Sequence, residues 1–253
     1  MMRSVFFQCR HTFGAVALAC ILAVGSAHGA EQDDLDVALG LSGMLRAART
    51  VIAANQSRIN DPTIGDKELT GEAVLAEALR NFTEATGIKP NEIDSKSRFG
   101  RLLQAQMAAV RTVMDENQRT INRSGVGFKG FVPAVFGRLV NEEFLRLAGT
   151  EARVKVTAPP RFVRNRKARP DGWELAAIEE RLMSPQWEKG AIYSAEAVDR
   201  DRKAFRVLVP EYYSEGCLAC HGTPKGEKDI TGYPKEGGKL GDLGGVISIT
   251  LYR

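Results

Sequence analysis

Two cysteines and a histidine within five residues constrain this chain more than any other feature. The sequence has four cysteines and three histidines, but only Cys217, Cys220 and His221 lie beyond residue 30. They form C-x-x-C-H, the attachment sequence for c-type haem. Thiols at this spacing add to the two vinyl groups of one macrocycle, and the next histidine lies under the iron. The sequence therefore predicts one covalent haem c, with His221 as the metal ligand.

Two other uses of this motif are open. A redox C-x-x-C usually begins a helix of a thioredoxin-like unit, but Gly216 before the motif and Gly222-Thr223-Pro224 after it do not favour a long helix. A structural zinc site needs four nitrogen or sulfur ligands, and the motif offers three. Haem attachment is the favoured interpretation.

The amino end is typical of a secretory signal peptide, because Arg3 and Arg10 precede an apolar run over residues 14–24. Small residues follow, and cleavage is expected after Ala27 or Gly29, which makes residues 1–30 the signal segment. We therefore predict a periplasmic protein that is not integral to the membrane. Without these two arginines the net charge is +2, which gives no basis for nucleic-acid binding.

The predicted fold class is α+β. Apolar residues at helical spacing predict helices over residues 34–60, 74–86, 99–122 and 133–148, with Gly and Pro at their ends. Residues 124–127 mark a boundary between a helical region, 31–125, that packs on the core and a second domain, 126–253. That second domain is expected to contain strands at 154–157, 205–209 and 246–251 and a helix at 173–183.

Ordinary carrier cytochromes are a poor match to this order. Only 32 residues follow His221, and none is a methionine. The methionines of the mature chain, Met44, Met107, Met114 and Met183, all precede the motif. The first three lie on or beside apolar helical stripes, where core packing is the favoured role over iron ligation.

Several blocks of the second half resemble a known family. They are FVPAVF at 131–136, KVTAPP at 155–160, VRN at 163–165, PDGWE at 170–174, VPEYY at 209–213, and the glycine-rich tail with Tyr233 and Gly241-Asp242. The chain resembles the Tll-like family of periplasmic, PAS-like proteins with a single c-type haem. The match covers residues 131–253 well and the helical half only loosely.

The resemblance implies a PAS-like antiparallel sheet with flanking helices, preceded by a helical amino-terminal region. It also implies redox or small-ligand sensing, often as the sensor half of a receptor. In this sequence no output domain follows the last strand, so signalling would go through a separate partner. Some members use a cysteine as sixth iron ligand, and no such cysteine remains here.

Five further residues are candidates for the haem site. Arg164 belongs to a basic run over 161–169 that could pair with haem propionates, because a guanidinium fork matches a carboxylate; a solvated loop is the alternative. Tyr212, Tyr213 and Tyr233, together with Trp173, could wall the haem, with core or turn packing as the alternative.

The favoured function is a haem sensor whose effector is a redox change or a diatomic ligand and whose partner is a redox or signalling protein. The alternative is a monohaem electron-transfer protein. We do not expect an enzyme, because peroxidase chemistry needs a distal acid–base residue and His221 is the only histidine of the fold. An open sixth position is expected, with the loop over residues 222–245 as the mobile element.

Overall fold

The computed structural model describes residues 19–253. Residues 34–253 form one compact unit, and the described residues before Asp34 belong to a separate one. The predicted signal segment therefore lies partly outside the described residues, since only its part from Ala19 onward, which is helical, is described.

The described chain contains helices in both halves. Their bounds are α1 (Ala19–Ala54), α2 (Gln56–Asn60), α3 (Gly71–Thr86), α4 (Arg98–Glu116), α5 (Gln118–Ile121), α6 (Pro133–Ala148), α7 (Gly172–Ala177), which a π-helical turn (Ile178–Leu182) continues, and α8 (Glu215–His221). The strands are β1 (Ala152–Thr157), β2 (Tyr193–Asp199), β3 (Arg202–Tyr212) and β4 (Leu243–Tyr252).

Local signals in the sequence account for the helix ends. The side chain of Thr70 accepts a hydrogen bond from the Ala73 amide at the start of α3, and Gly87 ends that helix in the left-handed conformation, at φ 71°. Ser97 caps α4 in the same way, and Pro133 occupies the first turn of α6. The four helices predicted in the first 150 residues are confirmed in position, but two are interrupted: that over 34–60 at Asn55, and that over 99–122 at Asn117.

The strands form one antiparallel sheet in the order β1-β4-β3-β2. One face, with Val154, Val207 and Ile249, packs on α1, α3, α4 and α6 in the main hydrophobic core. The other face carries Leu208 and Val246, which pack against α7 and the π-helical turn. The α+β class and the PAS-like antiparallel sheet between flanking helices are confirmed.

Strand β3 is longer than predicted. The sequence placed its end at Pro210, but β3 pairs with β4 as far as Tyr212. Its pairing with β2 stops at Leu208, so Pro210 lies where β3 is an edge strand on that side and needs no donor there. Ion pairs from Arg46 and Arg49 of α1 to Glu211 fix this end of the strand.

Strand β2 was not predicted from the sequence. Its hairpin with β3 turns at Arg200 and Asp201, which both adopt positive φ, 50° and 62°. Such two-residue turns are usually recognised by Asn-Gly or Asp-Gly, and this one contains no glycine. The strand is also only partly buried, which weakens its alternation.

One described segment is long and apolar enough to cross a bilayer by length and composition. It is Glu31–Ala54 of α1, and 61% of its apolar window is buried inside the protein. Buried core helices and signal sequences both meet this description, so the segment is weak evidence for a membrane span.

Candidate functional site

The C-x-x-C-H motif occupies α8, a single short helix that follows β3 directly. The helix ends at Gly222, where an added Cβ would lie 2.5 Å from the Leu218 carbonyl oxygen. Cys217 and Cys220 are free thiols, both partly exposed. Residues three positions apart share one face of a helix, so the two thiols are presented together with His221 at the helix end.

The imidazole of His221 is oriented by a carboxylate. Its Nδ1 lies 2.9 Å from Oε2 of Glu236, in the loop between α8 and β4. A carboxylate accepts, so Nδ1 carries the donated proton and Nε2 is the nitrogen left for a ligand. The His221 side chain is 30% exposed, whereas that of Glu236 is 10% exposed. Metal-binding histidines are commonly held in this way, because the second hydrogen bond fixes the ring and raises its basicity.

Arg164 holds the carboxylate in turn. Its Nε and Nη2 donate to the two oxygens of Glu236 at 2.5 and 3.0 Å. Its Nη1 donates to Asp229 at 2.6 Å, and Nη2 also reaches the Cys220 carbonyl oxygen at 2.8 Å. One guanidinium therefore joins the motif helix to two points of the loop that follows it.

The charges of this cluster reinforce one another. Burial alone would lower the pKa of Arg164, but the hydrogen bonds from its guanidinium to Glu236 and Asp229 raise it above its usual value. Burial would raise the pKa of Glu236 and that of Asp229, yet their hydrogen bonds hold both below the usual range. Burial, together with nearby Asp229, raises the pKa of the Cys220 thiol. The carboxylates stay ionised and the Cys220 thiol stays protonated at neutral pH.

The ring of Tyr213 stacks on the imidazole of His221. The two rings are stacked, with centroids 5.2 Å apart and planes 18° from parallel. Burial of its hydroxyl, with Glu236 nearby, raises the pKa of Tyr213 to about 12, and the hydroxyl is buried without a hydrogen-bond partner. Gly238 in the loop and Gly244 in β4 allow the backbone to approach the ring, because a Cβ at either position would collide with it.

The other predicted aromatic residues are divided between two places. Tyr233 lies beside the cluster, half-exposed, with the Arg164 guanidinium 5.6 Å from its ring centre. Tyr212 instead accepts a hydrogen bond from the Gly190 amide, in the turn before β2. Trp173 packs on Tyr193 and lies under the Arg206 guanidinium. It belongs to the cluster on the sheet face that packs against α7, opposite the main core.

Comparison with known proteins identifies the family. The model of the Tll0287-like family matches residues 90–251, more than half of the chain. The chain belongs to the Tll0287-like family. No curated protein and no solved structure matches it. The match begins at residue 90, so this family's region includes α4 as well as the sheet.

The methionines of this Tll0287-like chain lie away from the motif. Met44 and Met114 are completely buried, and Met107 packs against the same helical clusters. The prediction that these three serve core packing is confirmed. Met183 follows the π-helical turn and is 40% exposed.

Glu236 and Asp229 were not predicted from the sequence. Neither has a fixed spacing from the motif that would mark it, and both lie among other charged residues of a glycine-rich loop. The indication available was Arg164 itself, since a buried guanidinium needs carboxylate partners. For Arg164 the sequence left open a pairing with haem propionates or a place in a solvated loop; in the structure its guanidinium nitrogens bond Glu236, Asp229 and the Cys220 carbonyl.

This donor set fits a c-type haem. Cys217 and Cys220 provide two uncommitted thiols, and His221 provides an imidazole whose Nε2 is free of protein partners among the described residues. Ile230 and Leu240, in the loop after His221, are exposed apolar side chains of the kind a flat apolar cofactor covers. The described residues contain no group of three or more His, Cys, Asp or Glu side chains placed to hold a metal ion, as a structural zinc would need.

Proposed function

We propose that this protein is a periplasmic c-type haem sensor that reports a redox change or a small diatomic ligand to a protein partner. The observation that carries the proposal is the hydrogen bond between His221 Nδ1 and Glu236, on a helix that also presents two free thiols. Membership of the Tll0287-like family supports the sensor context. The apolar amino-terminal segment supports export.

Three residues would hold the cofactor. Each of the two thiols, on Cys217 and Cys220, would add across one vinyl group, with an S–C bond at one carbon and a C–H bond at the other and no change in oxidation state. His221 would bind the iron through Nε2, with Glu236 holding the proton on Nδ1. When bound, the haem supplies a one-electron couple and a site for small ligands.

The loop after the motif is the element through which we propose that the site signals. The Gly237 amide donates to the Gly222 carbonyl at 3.0 Å and the Gly238 amide donates to the His221 carbonyl at 2.8 Å. Arg164 adds its contacts to Asp229 and Glu236. A change at His221 would therefore be felt directly by this loop, and a sensor needs such an element with two arrangements.

Electron transfer is the second candidate function. It is favoured by the partial exposure of His221 and of both cysteines, which would leave an edge of the haem accessible to a redox partner. An open sixth position supports sensing, whereas two strong axial ligands support electron transfer. We propose no enzymatic role, because His221 is the only histidine after residue 28 and no second one is available as distal acid–base group.

The test is covalent haem in the exported protein. The full chain, expressed with a c-type haem assembly system, should stain for haem on a denaturing gel, and its amino terminus should begin between residues 28 and 31. The double variant Cys217→Ala, Cys220→Ala should not stain, whereas Glu215→Gln, an exposed position in the first turn of α8, should stain like the parent. A double variant that still stains, or an unstained parent, would contradict the proposal.

A further inference from the structure

The group that accepts the hydrogen bond from His221 Nδ1 is a carboxylate, which carries a full negative charge. We propose that Glu236 and Arg164 together set the reduction potential of the haem: Glu236 makes His221 a stronger, imidazolate-like donor, and Arg164 moderates that effect. The inference rests on the proposed function, in which His221 binds the iron. Both are positioning residues, because they act through His221.

The geometry makes Arg164 and His221 share one carboxylate. Oε2 of Glu236 accepts from His221 Nδ1 at 2.9 Å and from Arg164 Nη2 at 3.0 Å. Its Oε1 accepts from Arg164 Nε at 2.5 Å. Every donation from the guanidinium draws electron density from the oxygens that polarise the imidazole, so the strength of the Glu236 acceptor depends on Arg164.

The local charge balance favours oxidised iron. Arg164 contributes one positive charge against two carboxylates, Glu236 and Asp229, whose side chains are 10% and 0% exposed. Of the four lysines of the loop, Lys235 is the one that acts on the Cys220 thiol, and it pairs with Glu227. The cluster thus keeps one excess negative charge beside the histidine, and in a partly buried site such a charge is weakly screened. Ferric iron, with the higher charge, is stabilised relative to ferrous iron.

A purely structural clamp would behave differently. If Arg164 and Glu236 only fastened the loop to α8, then loss of either residue would lower stability, with no reason for opposite effects on the potential. If they act as proposed, removing the carboxylate raises the potential and removing the guanidinium lowers it. The sign of the shift therefore separates the two roles.

The experiment is a spectroelectrochemical titration of the purified holoprotein and its variants. Glu236→Gln should raise the ratio of reduced to oxidised haem at fixed potential by about tenfold, which is 59 mV for a one-electron couple. Arg164→Met should change the ratio in the opposite direction. Glu227→Gln removes a carboxylate from the same loop and Arg161→Met removes a cation from the same basic run, and both should leave the potential unchanged.

A double variant controls for misfolding of Arg164→Met. Arg164→Met leaves Asp229 buried without its cation, so Arg164→Met with Asp229→Asn removes that unpaired charge and keeps the net charge of the cluster. It should still have a lower potential than the parent, because Glu236 then accepts a hydrogen bond from His221 and none from a guanidinium. Equal potentials in the parent, Glu236→Gln and this double variant would overturn the inference, as would shifts of the same sign. Absence of covalent haem from the parent would instead contradict the proposed function.

Discussion

The ring of Tyr213 lies flat against the imidazole of His221, 5.2 Å away between centroids. Backbone hydrogen bonds to the following loop hold Tyr213 at the end of β3, since its amide donates to Asp242 and its carbonyl accepts from Gly241. The tyrosine therefore lies directly after β3 and is bonded to the end of the loop before β4, while the histidine belongs to α8. Their stacking is the contact that sets the plane of the proposed iron ligand relative to the rigid part of the fold.

Gly244 should be intolerant of a side chain. Its Cβ would collide with the Tyr213 ring, so Gly244→Ala must displace either the ring or β4. Overpacking of this kind costs about 1–3 kcal/mol. Gly172→Ala is the matched control, because a Cβ there meets nothing within 4 Å. Chemical denaturation would measure both; equal free energies of unfolding would show that the ring is not confined as described.

The hydroxyl of Tyr213 should be dispensable for folding. It is buried without a hydrogen-bond partner, so Tyr213→Phe removes a desolvated polar group and keeps the stacked ring. We expect a free energy of unfolding equal to or above that of the parent. Tyr213→Ala loses the ring and should cost about 3 kcal/mol or more. A marked loss of stability in Tyr213→Phe would mean that the hydroxyl has a partner, such as a bound cofactor group, in the protein tested.

The first half of the fold could be predicted from the sequence because its signals are local. Helical periodicity and the caps Thr70, Gly87 and Ser97 lie within each helix they define. Strand β2 could not be predicted, because its turn at Arg200 and Asp201 adopts positive φ without glycine. The segment becomes a strand through its hydrogen bonds to β3, which its own sequence does not indicate.

The same distinction applies to the site. The triad of the motif lies within one turn and a half of helix, so spacing alone places it. Glu236 reaches His221 only because the loop folds back onto α8, and Arg164 arrives from a segment more than fifty residues earlier. Arg164 was predicted as a site residue for its fork geometry, but its partner was not. Contacts between distant segments depend on the whole fold and leave no pattern in the local sequence.

Stability should depend on pH through Asp171, on the far face of the sheet. Burial would raise the pKa of its carboxyl, but hydrogen bonds from Arg206 and from the Glu174 amide hold it below the usual 3.8. The native state then binds this proton less tightly than the unfolded state. The stabilisation is therefore present above pH ~4 and is lost as the pH falls through the lowered pKa.

Asp171→Asn is the variant that isolates this effect. Asparagine can still cap α7 through its Oδ1, so the change removes the charge and the oxygen that accepts from Arg206 Nη2. We expect a loss of about 1 kcal/mol at pH 6, a modest value because the Asp171 side chain is 36% exposed and screened by solvent. The difference from the parent should shrink toward pH 3 in denaturation curves. A difference that is constant across this range would show that the charge contributes nothing.

Few side chains of this chain could serve as a sixth iron ligand, so we expect the sixth position to be open or weakly held. After residue 28 the chain has no histidine except His221 and no cysteine outside the motif. Of the methionines, Met44 and Met114 are completely buried in the helical core. A lysine would have to lose its proton to bind at neutral pH. Met183, at 40%, is the most exposed of the described methionines, and it is therefore the thioether to test as a displaceable ligand.

The ferrous holoprotein should therefore bind carbon monoxide rapidly and completely at neutral pH, because the incoming ligand displaces no strong bond. Met183→Leu, which preserves volume and apolar character, should give the same spectrum and the same binding rate as the parent. A parent that binds slowly, together with a fast Met183→Leu variant, would identify Met183 as the sixth ligand. A parent and variant that both resist carbon monoxide would show another strong ligand in place, and the electron-transfer function would then be preferred over sensing of a diatomic ligand.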